Sequence, residues 1–182
     1  MTKRKTRPGS PQAQGGAKST TIKTRQVPGR DEWELVHPSC ARQRADDIVE
    51  VRRMIEMGEH DIAIDELRWL LSGCGDFVEA HRLLGELALL EGDVRLARGH
   101  FGYAYELAMI AIRQSKAPGP FTYRRTANQA FLESAKGLAH CLAQIDKSDL
   151  AREVLETLIR LDPSDPLGAA AMLSELPRSL KP

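Results

Sequence analysis

The sequence predicts an all-α protein of antiparallel helix pairs, and three observations carry that expectation. The stretch Gly58 to Leu71, GEHDIAIDELRWLL, returns 34 residues later as GDVRLARGHFGYAY, Gly92 to Tyr105. The match is one of kind: the turn glycines Gly58 and Gly92, the small residues Ala63 and Ala97, and the apolar residues Leu67 and Phe101 or Leu70 and Ala104 keep their offsets. That period belongs to a helix-turn-helix repeat. Apolar residues beyond position 39 also recur at helical spacing, and no segment alternates in the manner of a half-buried strand.

Residues 1–30 precede this pattern. They hold Lys3, Arg4, Lys5, Arg7, Lys18, Lys23, Arg25 and Arg30 without an acid, among three prolines and four glycines. With few large apolar side chains to offset the entropy of ordering, they are expected to form a disordered basic arm. The other 18 Lys and Arg face all 25 Asp and Glu, so the body, residues 31–182, has a net charge of −7 inside a chain of +1.

Each element of that body has its own signal. Asp31 to Pro38, DEWELVHP, sets Trp33, Leu35 and Val36 in a short non-helical segment expected to lie against the helices. Ser39 is placed to cap a first helix with Ala41, Ala45, Ile48, Val51 and Ile55 on one face, ended by Gly58. Its partner starts near Asp61, turns Ile62, Ala63, Leu67, Leu70 and Leu71 inward, and closes at Ser72-Gly73. Asp76 is the expected cap of a third helix through Leu83, Leu84, Leu87 and Leu90 to Gly92. A fourth begins near Asp93 and stays helix-compatible past Leu107, Met109 and Ile110 to Ile112, until Ala117-Pro118-Gly119-Pro120 forces a loop. A fifth runs from around Tyr123–Thr126 to about Gln144 with Phe131, Leu138 and Leu142 inward, and a sixth from Asp149 to Leu161. Asp165, a cap followed by Pro166 in the first helical position, starts a seventh that stops before Pro177.

The order of glycine, small residue and large apolar residue resembles the tetratricopeptide repeat (TPR). Leu84-Gly85 stands where that repeat carries Leu-Gly, and a third copy shows Ala151, Leu155, Leu158 and Pro163. Ala97 and Ala151 are 54 residues apart, so an insertion of 20 separates the second and third units. In the first unit Glu50-Val51 replaces Leu-Gly. The resemblance covers roughly Arg42 to Leu176. It implies a short right-handed solenoid with units at about 42–75, 76–109 and 124–163 and a C-terminal capping helix at about 165–176.

In this family the first helix of each pair lines a concave groove. The matching positions are Ala45, Ile48, Arg52, Ile55 and Glu56 in the first unit, Glu79, Arg82, Glu86, Leu89 and Leu90 in the second, and Glu133, Lys136, His140, Ala143 and Gln144 in the third. The resemblance therefore implies a protein-interaction adaptor whose partner, a protein or peptide segment, meets Arg52, Arg82, Glu86, Leu89, Lys136 and His140. Arg52, Arg82 and Lys136 together suit an acidic segment. The asparagines of the carboxylate-clamp subclass are missing, so a chaperone C-terminus is not implied. The alternative reading is a nucleic-acid-associated or acidic-surface-binding factor that acts through the basic arm.

Little in the sequence points to chemistry. His37, Cys40, Cys74, His81, His140 and Cys141 lack the paired spacing of a zinc finger or ribbon, so no metal is expected. No phosphate-cradling glycine loop, HExxH or Gly-x-Ser-x-Gly occurs, and neither an enzyme nor a cofactor is expected. Three cysteines without framework spacing suggest a reducing, cytoplasmic setting, and no segment has the length of a membrane span. Gly99 and Gly102 inside a helix cost about 1 kcal/mol each relative to alanine, which implies a neighbouring helix in close approach. Trp69 and Tyr103 hold equivalent positions in two copies and are expected to form an aromatic patch with Trp33.

Overall fold

Eight helices and one β-hairpin make up residues 21–177, the part of the chain that the computed structural model describes. Strands β1 (Lys23–Gln26) and β2 (Trp33–Val36) pair antiparallel, with Thr24 opposite Leu35. Helices α1 (Ser39–Gln43), α2 (Ala45–Glu56), α3 (His60–Gly73), α4 (Val78–Leu90), α5 (Val94–Ser115), α6 (Thr126–Gln144), α7 (Ser148–Leu161) and α8 (Ala169–Glu175) follow. Each helix from α2 to α7 packs on its successor, α4 also touches α6, and α8 lies on α7. The protein is thus mainly helical, as expected.

The turns within the helix pairs repeat in geometry as well as in sequence. After α2, Gly58 N–H bonds to Ile55 O at 3.0 Å and Glu59 N–H to Met54 O at 2.9 Å. After α4, Gly92 and Asp93 bond to Leu89 O and Ala88 O at 3.0 and 2.8 Å, and after α6, Asp146 and Lys147 bond to Ala143 O and Leu142 O at 3.2 and 2.9 Å. These are the paired bonds that close a helix through a left-handed residue. Gly58, Gly92 and Asp146 take that place with φ of 77°, 79° and 59°. Ala63, Ala97 and Ala151 on the following helices all have zero exposure. The extra residues of the third spacing lie in α5, 22 residues long against 14 in α3 and α7, and in the loop that follows it.

Phe101 is the central side chain of the larger core. A Cβ on Gly85 of α4 would stand 2.7 Å from its ring, and one on Gly137 of α6 would stand 2.8 Å away. Two glycines therefore let α4 and α6 close on one aromatic ring. The glycines expected to serve close packing do less: Gly102 would make only an ordinary 3.6 Å contact with Leu138, and nothing lies within 4 Å of a Cβ at Gly99. Phe101, Ala104, Phe131, Leu132 and Leu155 belong to this core, which draws on α4 to α8 and the hairpin. A smaller core, with Ile48, Val51, Leu67, Leu70 and Leu83, joins α1–α3 to α4.

The hairpin corrects two expectations. Strands were not anticipated, and the fold begins before residue 31: Ile22 and Leu35, both 2% exposed, enter the larger core. The expectation of a disordered arm therefore fails for residues 21–30, while residues 1–20 lie outside the described residues. Asn128, fully buried on α6, secures the free edge of β2. Its Oδ1 accepts from Leu35 N–H at 3.0 Å and its Nδ2 donates to Trp33 O and Thr122 O at 3.1 Å, as a neighbouring strand would. Glu32, 6% exposed beside the hairpin turn, pairs with Arg124 and with Arg125 at 3.0 Å.

Several helix starts also differ. The first expected helix is two, broken at Arg44 (φ −107°, ψ 23°), and Ser39 lies inside α1 behind Pro38. Asp76 does not cap α4, because its carboxylate accepts from Thr21 N–H and Oγ1–H at 2.7 and 2.9 Å. Asp165 does cap the last helix, accepting from Ala169 and Ala170 N–H at 2.7 and 2.9 Å, but Pro166 stays in the turn before it. Cys40 and Cys74 form a disulfide, and Cys141 is buried and free. That pairing was not anticipated from the cysteine spacing. Among the described residues no helix is long and apolar enough to cross a membrane.

Candidate functional site

A groove of about 570 Å³ opens where α1, α2, α4 and α6 meet. Ala41, Ala45, Ile48 and Val49 form one wall, with Arg42 and Arg52 along it; Phe77, Glu79 and Arg82 form the floor; Ala127, Gln129, Ala130 and Glu133 form the other wall. Val49, 56% exposed, leaves apolar surface open on the α2 side. The chain itself closes one end. His37 lines the groove and its Nε2 donates to Ala127 O on α6 at 2.7 Å, while Arg42 Nη1 donates to His37 O at 2.8 Å. The segment from β2 to α1 thus forms a strap from α6 to α1, and the Cys40–Cys74 bond carries it on to the end of α3.

A chain of ion pairs crosses the floor. Arg52 of α2 bonds to Glu79 of α4 at 2.5 Å, and Arg82 bonds to the same carboxylate at 2.7 and 2.9 Å. Arg82 also pairs with Glu86 and, at 3.2 Å, with Glu133 of α6, which in turn accepts from Tyr123 Oη at 2.6 Å. Three helices are stitched together by alternating charge. Burial alone would raise the Glu79 carboxyl, but the two guanidinium groups hold it below its usual range. Glu86 is raised instead, by burial and by the neighbouring Glu133 and Glu79, since its single cation is shared three ways. Burial works against the charge on Arg82, yet its three carboxylates outweigh that and hold it firmly protonated.

The residues predicted for the groove therefore separate. Ala45, Ile48, Arg52, Glu79, Arg82 and Glu133 line it. Arg82, 8% exposed and saturated with carboxylates, is a structural centre rather than an open cation, which corrects its expected role toward an acidic partner. Glu86 faces Arg82, Leu89 packs against the larger core, and Lys136 and His140 lie farther along α6, outside the lining; His140 Nε2 meets Gln144 Nε2 at 2.9 Å. His37, Ala41, Arg42, Phe77, Ala127 and Gln129 were not foreseen. They belong to the strap, the short α1 and the starts of α4 and α6, which precede the repeat positions that the resemblance numbers.

The three residues of the expected aromatic patch each have a neighbour of their own. Trp33 sits on β2 against the larger core, Trp69 has the Arg44 guanidinium 4.4 Å above its ring, and Tyr103 lies 4.6 Å from the His81 ring. His81 forms a further polar pair. Its Nε2–H donates to Gly75 O at 3.2 Å, which leaves its Nδ1 to accept from His100 Nδ1–H at 3.3 Å. Burial pushes the His81 imidazole down to about 4. Of the arm's charges, Lys23, Arg25 and Arg30 lie among the described residues, with Arg25 paired to Glu34.

No protein-family model matches this chain, and no curated protein matches it.

Proposed function

We propose that this chain is a divergent TPR-like module that works as a protein-interaction adaptor, holding a segment of a partner protein in the groove between α2, α4 and α6. Three recurrent turns, at Gly58, Gly92 and Asp146, and three fully buried alanines support a right-handed solenoid of three units with α8 as its cap. The function rests on one observation: the groove of about 570 Å³ pairs an open apolar wall with a charged floor whose ion pairs are already satisfied. Such a site can take an apolar side chain on Ile48 and Val49 without stripping water from an unpaired charge. The cations that an acidic group of the partner meets are the exposed Arg42 and Arg52 on the α1–α2 wall, which it approaches beside their own bonds to His37 O and Glu79. The reading involves neither catalysis nor a cofactor.

The test uses the full chain as bait for a displayed peptide library, followed by calorimetry on the selected peptide. Val49→Asp places an uncompensated carboxylate on the exposed apolar wall without entering the core and is expected to weaken binding about tenfold or more. Arg52→Glu is expected to weaken an acidic peptide further. Leu150→Ala, on the exposed face of α7 and outside the lining, serves as the control. A selected peptide whose affinity ignores both groove substitutions would sink the reading.

A further inference from the structure

We infer that the Cys40–Cys74 disulfide is a redox latch on the groove: its reduction by a dithiol releases α1, and so loosens the α1–α2 wall beside the end that His37 covers. The inference rests on the reading of the groove as the binding site and assigns that site a means of control.

The two ends of the strap are held by different means. At the α6 end, Leu35 N–H bonds to the buried Asn128 and His37 to Ala127 O, and the hairpin behind them is rooted in the larger core. At the other end stands α1, five residues long, with no side-chain bond at its N-terminus. A helix of that length has little stability of its own. Its attachments are Ala41 in the smaller core, Arg44 over Trp69, and the covalent link from Cys40 to Cys74 at the close of α3. Ala41 and Arg42, both of α1 and both in the groove lining, therefore depend on that link for their position.

The bond encloses residues 40–74, which comprise α2, α3 and most of α1. All of the chain that it restrains is the N-terminal pair, and none of the loop reaches the Phe101 core. Opening the bond therefore loosens one wall and leaves the other in place. The two cysteines differ in burial: Cys40 is half-buried, whereas Cys74 is 3% exposed, so attack is assigned to Cys40. A thiolate of the reductant attacks Cys40 Sγ, forms a mixed disulfide there and expels Cys74 as a thiolate, which takes a proton. The reductant's second thiolate then attacks its own sulfur in the mixed disulfide and expels Cys40, which is protonated in turn. The protein bond gains two electrons and two protons, and the dithiol is oxidised to its disulfide. Cys141, with zero exposure on α6, stays outside the exchange.

The experiment compares hydrogen exchange of the full chain with and without dithiothreitol, with thiols counted after denaturation in each state. One thiol is expected before reduction and three after it. Amides of residues 39–56 are expected to exchange at least tenfold faster on reduction, those of β2 and of α5 to α7 to be unchanged, and reoxidation to restore the first pattern. The Cys40→Ser, Cys74→Ser double variant should show the fast pattern in both conditions, and Cys141→Ser should behave as the wild type. Three thiols before reduction, identical exchange in both states, or acceleration spread evenly over the whole chain would each overturn the latch. A latch that operates in a protein whose selected peptide ignores Val49→Asp would sink the binding reading alone.

Discussion

The pair α2–α3 and the pair α4–α5 share a turn, with left-handed Gly58 and Gly92, and a fully buried alanine at 63 and 97, yet they are held in place by different means. Around α4–α5 the chain closes on itself from several sides: α6 lies against both helices, Phe101 is clasped between two glycines, and the hairpin covers α5 and α6. The first pair meets the rest through α4, with a smaller core and the ion pair from Arg52 to Glu79, while the disulfide ties α1 to the end of α3 within the pair itself. A repeat unit cannot bury its apolar face alone, so a terminal unit must be sealed by something other than a second neighbour. At the C-terminal end α8 does this for α7. At the N-terminal end a covalent bond and a charged contact stand in for it, and the groove lies along that lighter seam.

The largest test of the contrast is Phe101→Ala. The ring is 2% exposed and fills the space that Gly85 and Gly137 leave, so the variant keeps a cavity that backbone on both sides cannot easily close. Aromatic-to-alanine changes at such sites cost about 3–5 kcal/mol. Urea melts should show a loss of that size, with α4 to α6 losing exchange protection together. A loss below about 1 kcal/mol would mean that the core does not hinge on this ring and that the two regions are more alike than they look.

Helix positions were legible because the period of the apolar residues is local information: α3 to α7 fall where spacing and turn glycines put them. The hairpin was not. KTRQ and WELV are four residues each, and their order depends on an amide 93 residues away in sequence, that of Asn128 on α6. The disulfide was half legible. Cys40 and Cys74 are 34 residues apart, one full period, so a fixed register would have set them at equivalent places in adjacent units. In the groove, Arg52, Arg82 and Glu133, named from the repeat pattern, lie in the lining. The saturation of Arg82 by Glu79 and Glu86 was also present as helical spacings of three and four. Its third partner, Glu133, comes from another helix, and the strap comes from a segment that has no place in the repeat.

Acid probes the junction of the two regions, where Gly75, between α3 and α4, accepts from His81. Burial holds His81 down at about 4, and it also lowers His100 beside Arg68; Asp76 is the carboxylate whose field opposes the shift at His81. The unfolded chain binds a proton at an ordinary histidine near 6.5, so between about pH 6.5 and 4 it takes up protons that the fold does not. This contribution to stability is complete above about pH 6.5 and is lost as the pH falls toward 4. The urea midpoint of the wild type should drop across that window, and His81→Gln should flatten the drop. An equal slope in both proteins would place the acid sensitivity elsewhere.

The smallest expected effect is also the most discriminating between the two regions. Arg52 is the ionic tie from α2 to α4, yet its side chain is 53% exposed, and its partner Glu79 keeps the bond to Arg82 when Arg52 is removed. An exposed ion pair contributes about 0–1 kcal/mol, and salt screens it. Arg52→Met should therefore lower stability by less than about 1 kcal/mol in urea melts, and the difference from wild type should shrink further at high salt. The methionine keeps most of the apolar length of the side chain, so lost packing does not confuse the result. If the smaller core and the disulfide hold the first pair, exchange protection of α2 and α3 should survive in the variant. A loss above about 2 kcal/mol, or collapse of that protection with the disulfide intact, would mean that the first pair is seated by charge. The ion-pair chain across the groove floor would then be the main seam of the fold.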